Sequence, residues 1–415
     1  MKITRRQLAG TAAAGFGLSL TPLLQAKAVR FQDDSAEFVV ANEIEPLDLL
    51  PWFGGYGQAL VTRQVYETLA EPRMTLTDDN TVDISLIPVL AESWERVDDT
   101  RWRFFLRDGV AFHNGEAWNA AAAKASFDVL SDTDLIAELG KFNALAGVTA
   151  EVVEEMTIDF VTPEPDSEFV NMSIRIGFSA LPPKMLEEQG VQAFAENPVG
   201  TGPFRFGQWS KGEEIILNQF EEYWSDEVLD ISTVRFIARP EAAVRAQTVL
   251  AGESDFAYNI GAEQASPLPH TVSGGGFQST SIRLNNTIEP TSNQQVRLAI
   301  NHAIDREGIV ASVFGGQATV AAFFGFQPVE LEPYPYDPEQ AAALIEEADI
   351  TGMELELVYG EGRIPEEDQL AEIYKSQLDA IGLNIKLTKV EPRQYNELGS
   401  LPFEEQPPLY METTS

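Results

Sequence analysis

Apolar residues recur along the chain with two spacings, one typical of strands and one of helices. Trp102, Phe104 and Leu106 alternate with arginines, which predicts a strand buried on one face, with Phe105 as an apolar exception on the charged face. Helical spacing predicts helices near residues 58–70, 120–130, 240–252, 296–303, 338–348 and 370–381. Because strands and helices mix throughout, we expect an α/β fold with an α+β insert.

The last third of the chain has the most regular pattern. Met353 to Tyr359 alternates as a strand, a helix ends at Gly382, and Leu383 to Leu387 alternates again. This strand–helix–strand unit predicts a parallel pair with a right-handed crossover. Nothing after about Tyr395 predicts a continuing sheet, and Gly274–Gly276 predicts a flexible joint.

Composition excludes several classes of protein. The 415 residues predict two or three domains, and the absence of cysteine excludes disulfides, thiolate metal sites and a Cys-linked lipid. The net charge of −37 argues against nucleic-acid binding. No nucleotide, zinc-hydrolase or serine-hydrolase motif is present, so we expect neither an enzyme nor a cofactor. His113 and His302 are expected to be structural, with no metal site.

Residues 1–28 resemble an export signal. Arg5 and Arg6 form a twin-arginine pair, residues 8–24 are mildly apolar, and Ala26-Lys27-Ala28 fits a cleavage site. A retained membrane anchor is the alternative, but the apolar stretch is short and interrupted. We therefore expect cleavage, the twin-arginine export machinery as a partner, and a soluble periplasmic protein without a lipid anchor.

Several segments together resemble one family, the extracellular solute-binding family 5 of ABC importers for peptides and nickel. Most specific is Asn197-Pro198-Val199-Gly200-Thr201-Gly202-Pro203-Phe204, a near-verbatim family signature. The other matching segments occur in the family's order and are Leu90–Glu95, Trp102–Val110, Phe112–Glu116, Trp209 with Tyr223-Trp224, Leu250–Asp255 and Val296–Arg306. They are mostly scaffold signatures, so they support the fold more than a particular ligand.

The resemblance implies a periplasmic-binding-protein type II-like fold with three lobes. Residues 36–72 and 195–283 would form lobe I, 73–194 an inserted lobe II, and 284–415 lobe III. Family members continue beyond this point, so the C-terminal return to lobe I is expected to be missing here. Two interpretations stay open: the chain is a shortened natural variant, or it is a fragment. A fragment is expected to leave lobe III with a bare sheet edge.

The family binds solutes by closing a cleft between lobes, which implies candidate ligand contacts by chain position. The loop after the first strand carries Glu45, Trp52, Phe53 and Tyr56, and packing between lobes is the alternative role for these residues. Tyr258 and Asn259, which follow the Gly252–Asp255 turn, are the other candidate contacts. The alternative is that they are ordinary polar residues of a strand with no ligand role. The residue that would hold a peptide's amino terminus lies late in the family's chain and is not carried over. Trp94, Trp102 and Trp118 are expected in the core of lobe II.

The function implied is a periplasmic receptor that delivers peptides or peptide-like solutes to an ABC importer. Its partners would be the ligand and the permease subunits, so contact with the membrane complex is peripheral. A nickel chelate, an opine, a saccharide or haem is the alternative ligand. A non-transport orphan or degenerate binding protein is a further alternative.

Overall fold

The computed structural model describes residues 36–43, 45–52, 56–76, 82–138, 145–174, 178–225, 230–271, 279–320, 332–361, 364–399 and 401–414. These residues form two compact units, divided between Tyr258 and Asn259. The predicted joint at Gly274–Gly276 and the export signal lie outside the described residues.

The first unit contains most of the strands. In chain order they are β1 Glu37–Asn42, β2 Ala70–Leu76, β3 Val82–Pro88, β4 Ala91–Arg96, β5 Arg101–Leu106, β6 Thr149–Glu154, β7 Thr157–Val161, β8 Phe204–Ser210, β9 Glu214–Gln219, β10 Thr233–Ala238 and β11 Phe256–Ala257. Its α-helices are α1 Tyr56–Val65, α2 Ala120–Leu130, α3 Thr133–Glu138, α4 Pro183–Gln189 and α5 Ala242–Ala251.

Among the described residues, these strands form three sheets. One has the order β11-β1-β10-β9-β8, in which β1 runs parallel to both β10 and β11. Another is antiparallel, with the order β4-β5-β7-β6, and β2 pairs with β3 in a third. The sheet that contains β1 therefore draws its strands from both ends of the unit, and the other two sheets come from the residues between.

Alternation explains the burial of β5. Phe104 and Leu106 are buried, whereas Phe105 is 39% exposed on the face with the arginines, as the pattern predicts. Arg101 and Arg103 both reach the buried Asp159 on the adjacent β7, with N–O distances of 2.9 and 2.7 Å. The core behind this sheet is aromatic. Trp118 is buried in it and Trp94 and Trp102 pack against it, which confirms the expected core positions.

Helix α1 ends earlier than the apolar pattern predicts. The spacing predicts a helix to residue 70, but α1 ends at Val65. The Val65 carbonyl accepts from the Gly202 N–H at 2.9 Å, so it is bonded to a distant loop rather than to the next helical turn. The carbonyls of Thr68 and Leu69 in turn accept from backbone N–H groups of residues 89–91.

The second unit contains a mixed sheet with helices. The strands are β12 Ser279–Leu284, β13 Glu354–Gly360, β14 Asn384–Val390 and β15 Leu409–Thr414. Its helices are α6 Ala262–Ala265, α7 Gln294–Ala303, α8 Arg306–Ser312, α9 Pro338–Glu347, α10 Glu367–Ala380 and α11 Pro392–Gly399. Strands β13 and β14 are parallel and joined through α10, which confirms the predicted strand–helix–strand unit.

One expectation for this unit is wrong. The sequence pattern predicts no sheet after about Tyr395, yet β15 lies between β12 and β13. It is antiparallel to β12 and parallel to β13. Leu409 and Met411 are fully buried in the unit's core, and Tyr410 packs in a smaller cluster with Tyr395 on the other side. A strand buried on both faces shows no polar alternation, so the periodicity did not reveal it.

The unit boundary also differs from the expected start of lobe III. The second unit begins at Asn259, whereas the resemblance implies a start near residue 284. Residues 284 onward do lie in this unit, together with β12 just before them. The assignment of three lobes stays a prediction.

Candidate functional site

The carboxyl ends of three parallel strands lie side by side in the first unit. Strand β1 ends at Asn42, β10 at Ala238 and β11 at Ala257, and the pairing places these ends at one edge of the sheet. In open α/β sheets, ligands bind in the crevice outside the carboxyl ends of the strands. We call the described residues that follow these three strands, 43, 45–52, 239–240 and 258, the strand-end edge.

The loop after β1 is held in place by polar contacts. Asn42, buried at the end of β1, donates from Nδ2 to the Gly57 carbonyl at 2.9 Å. The Asp48 carboxylate accepts from the Leu50 N–H at 3.0 Å and from the Gln58 amide at 3.2 Å. Tyr66 donates its hydroxyl to the Leu49 carbonyl at 3.1 Å. The loop therefore has a defined conformation, as a binding loop requires.

Glu45 is the first predicted ligand contact in this loop. Its carboxylate accepts from the Trp209 indole N–H at 2.7 Å and from the Gly212 N–H at 2.8 Å. Both donors belong to the β8–β9 hairpin. Trp209, one of the residues that match the family, therefore has a structural contact. A ligand ammonium group would share this carboxylate with the hairpin, and the ligand role of Glu45 stays a prediction.

The aromatic residues of the loop occupy different positions. Trp52 is 3% exposed and packs in the core of the first unit, where its indole N–H has no hydrogen-bond partner among the described residues. Tyr56 is the first residue of α1. Phe53 and the Tyr56 side chain lie outside the described residues. Ligand contact by these three residues stays a prediction.

Tyr258 follows β11 directly and belongs to the strand-end edge. Its N–H donates to the Ala41 carbonyl on β1 at 3.3 Å, and its side chain packs partly buried against the core. Asn259, the first residue of the second unit, has a left-handed backbone with a φ of 53°. The structure thus brings Tyr258 to the same sheet edge as the loop after β1, although more than 200 residues separate them.

The buried Arg245 on α5 is a residue that the sequence reasoning missed. Its side chain is 2% exposed, and its guanidinium donates to the carbonyl oxygens of Tyr258 at 2.9 Å, Arg239 at 2.7 Å and Pro240. Its Nη2 lies 3.8 Å from the Glu43 carboxylate. Burial lowers the pKa of Arg245, and the nearby Glu43 opposes that shift. The helix spacing marked the apolar residues of α5 and gave no signal for this one.

The family signature loop has a scaffold role. Gly200 and Gly202 lie against the end of α1, where an added Cβ would collide with the Val65 and Gln64 carbonyls respectively. The Gly200 N–H donates to His113 Nδ1 at 3.3 Å, so the proton is on Nε2, which donates to the Gly202 carbonyl at 2.8 Å. Burial lowers the pKa of His113 to about 4. Two matching segments, far apart in the chain, thus meet through one neutral histidine.

A second buried titratable group connects another pair of segments. Glu67 is 5% exposed and accepts from the Tyr223 hydroxyl at 2.7 Å and the Trp224 indole N–H at 3.0 Å. Arg107 lies 4.3 Å from the centre of the Trp224 ring. Burial raises the pKa of Glu67 to about 7, although both donors favour the ionised form. The Tyr-Trp segment is therefore fixed by a buried carboxyl rather than exposed for a ligand.

Within the described part of the chain, no group of three or more His, Cys, Asp or Glu side chains is placed to hold a metal ion. His302 instead contacts the Pro335 carbonyl through Nδ1 at 2.9 Å. Within the same residues no helix combines the length and apolar character needed to cross a membrane.

The α/β fold, with three parallel strands that end at one edge of a sheet, agrees with the predicted binding-protein architecture. The model of bacterial extracellular solute-binding proteins, family 5 Middle, matches residues 85–402. The chain therefore belongs to this family, as the motifs predict. This is a family of binding proteins, which agrees with the expectation that the chain is not an enzyme.

Individual relatives add detail. The chain is 29% identical over 325 residues to the glutathione-binding protein GsiB of Pectobacterium atrosepticum, covering 75% of this chain. It spans 62% of the length of that relative. Among solved structures, it is similar to DppA of Helicobacter pylori in complex with the peptide STSA, with a TM-score of 0.73 and 24% identity over 92% of this chain and 78% of that one. It is also similar to CtaP of Listeria monocytogenes, with a TM-score of 0.77 and 18% identity over 92% and 79%. At these identities the structures show the fold alone.

Proposed function

We propose that this protein is a periplasmic receptor that binds peptides or peptide-like solutes and delivers them to the permease subunits of an ABC importer. The observation that carries the proposal is the family match over residues 85–402, supported by the strand pairing that brings Tyr258 to the same sheet edge as the loop after β1. The similarity to a glutathione-binding relative supports a small peptide-like ligand. In this proposal Glu45, Phe53, Tyr56, Tyr258 and Asn259 contact the ligand, and Trp52, which is 3% exposed, contributes by packing under the loop.

The binding test uses the purified full chain in isothermal titration calorimetry. The probes are reduced glutathione, a tetrapeptide of sequence STSA and nickel with L-histidine, the last because a solved family member of similar fold, NikZ of Campylobacter jejuni, holds that complex. Saturable one-to-one binding of glutathione or the tetrapeptide supports the proposal. Binding of the nickel complex alone would overturn the peptide-like ligand, and a lack of binding to all three would overturn the receptor role for these solutes.

The export route is a separate proposal that rests on Arg5 and Arg6. The twin-arginine machinery reads the pair itself, so replacing both residues by lysine is expected to keep the charge and abolish export. The measurement is the amount of protein in periplasmic and cytoplasmic fractions. The Lys2→Arg variant is the matched control, because it alters a basic residue outside the pair. Unchanged periplasmic levels in the double variant would contradict the proposal.

A further inference from the structure

A single buried side chain contacts the chain after each of the three parallel strands. Arg245 reaches Glu43 after β1, Arg239 and Pro240 after β10, and Tyr258 after β11. The contacts to β10 and β11 are hydrogen bonds to main-chain oxygens, so they fix backbone position rather than side-chain chemistry. One buried guanidinium therefore links the three chain segments of the strand-end edge.

Strand β11 needs such support because its own pairing is short. It comprises Phe256 and Ala257, which pair with Val40 and Ala41 of β1. On its N-terminal side, the Asp255 carboxylate accepts from the Val39 N–H at 2.9 Å. On its C-terminal side, the Arg245 bond to the Tyr258 carbonyl fixes the residue that enters the predicted site.

The contacts at this position match the donor geometry of an arginine. A guanidinium is a planar fork with five donor hydrogens, so it can bond main-chain oxygens in two directions while facing a carboxylate in a third. A lysine ammonium carries its three donors on one atom, so it is expected to lose the fork that bonds Tyr258 through Nε and Arg239 and Pro240 through Nη1. Because Arg245 is 2% exposed, it does not itself offer a surface to a ligand.

We propose that Arg245 is a positioning residue for the ligand site: it sets the place of Tyr258 relative to the loop after β1, and thereby the affinity for the solute. This inference rests on the proposed function, since it assumes that the strand-end edge binds the ligand. It predicts that the Arg245 fork affects binding in the folded protein, beyond its effect on stability.

The test compares the buried Arg245 with the half-buried Arg306. Arg306 in the second unit also donates to main-chain carbonyls, among them that of Asn301 at 2.9 Å, so Arg306→Lys is the matched control for Arg245→Lys. Both full-length variants are titrated with glutathione and STSA at a temperature where circular dichroism shows them folded. We expect at least a tenfold weaker Kd for Arg245→Lys and less than a twofold change for Arg306→Lys. Equal effects in the two variants, or an unchanged Kd for Arg245→Lys, would overturn the proposal.

A second measurement does not depend on the ligand. Hydrogen exchange of the Arg245→Lys protein is expected to accelerate at least tenfold in peptides covering 41–50 and 255–258, and to stay unchanged in β8 and β9. If the wild type binds neither probe, the proposed function fails, and the exchange pattern alone decides the positioning role. Uniform acceleration across the first unit, or no local change, would overturn it. Should Arg245→Lys not fold, Glu43→Gln is used for both measurements, because it removes the link from the guanidinium to the loop after β1. A smaller loss of affinity and faster exchange confined to 41–50 are then expected, and no change in either would overturn the proposal.

Discussion

The β4-β5-β7-β6 sheet and the strand-end edge are stabilised in contrasting ways. Phe160 lies at the centre of the core behind that sheet, with ring centroids of Phe104 and Phe127 at 5.4 and 5.2 Å. The strand-end edge instead contains a buried guanidinium, that of Arg245, which is hydrogen-bonded to main-chain carbonyls. Apolar packing is non-directional and tolerates substitution by residues of similar volume, whereas a buried polar group needs all its partners in place. The aromatic core makes the sheet a stable support, whereas the hydrogen bonds of Arg245 define the positions of particular main-chain atoms.

The largest expected effect comes from the aromatic core. Phe160→Ala removes a fully buried ring and is expected to cost about 3–5 kcal/mol in the free energy of unfolding. Urea unfolding followed by fluorescence measures it. Trp102→Ala is the control, since Trp102 is only partly buried and should cost less. An equal or larger loss for Trp102 would show that the centre of this core is misplaced. Ligand affinity of the folded Phe160→Ala protein should be unchanged.

The buried carboxyl of Glu67 should make stability depend on pH. Its pKa is about 7 in the folded protein and near 4.5 unfolded, so the folded state holds the proton more tightly. Its contribution to the free energy of unfolding is therefore complete below pH 4.5. This contribution, roughly 3 kcal/mol, is lost as the pH rises through 7. Glu67→Gln is expected to remove this loss in urea unfolding between pH 4.5 and 8. The exposed Glu222→Gln is the control, and an identical profile in wild type and Glu67→Gln would contradict the assignment.

Protonation of His113 should change the free energy of unfolding in the direction opposite to Glu67, over a similar pH range. Its pKa falls from 6.5 unfolded to about 4 folded, so its contribution is present above pH 6.5 and is lost as pH falls through 4. The expected loss on acidification is roughly 3 kcal/mol. On acidification this loss opposes the gain in stability from Glu67. The two contributions to the free energy of unfolding should therefore nearly cancel in the wild type between pH 4.5 and 6.5. His113→Gln should become relatively more stable on acidification, and the exposed His270→Gln should follow wild type. A parallel profile for His113→Gln would contradict the buried neutral histidine.

The smallest effect concerns the signature loop. Gly202→Ala places a methyl group against the Gln64 and Val65 backbone and is expected to cost about 1–3 kcal/mol, because the neighbouring backbone has to shift. Thermal unfolding measures the change. Gly252→Asn is the control, since Gly252 is left-handed at the end of α5 with open space around its Cα and asparagine tolerates that conformation. A neutral Gly202→Ala would show that the loop does not pack closely on α1.

Local pattern allowed several features to be predicted from the sequence. The alternation in β5, the extent of α2 and the parallel β13–β14 unit follow from periodicity, since each depends on neighbours in the chain. The helix predicted near 338–348 is α9, which Asp337 caps by accepting from the Gln340 N–H. The order of the matching segments predicted the family. The same reasoning selected the two candidate ligand segments by chain position.

Only the tertiary structure decided which distant segments meet. Strand β1 pairs with strands that begin at Thr233 and Phe256, and this pairing alone brings Tyr258 beside the loop after β1. The acceptors of Arg245, the donors to Glu67 and the location of β15 inside its sheet are likewise set by contacts across long stretches of chain. Periodicity reports which face of an element is buried, but it carries no information on the partner that covers that face or on the atoms that satisfy a buried polar group.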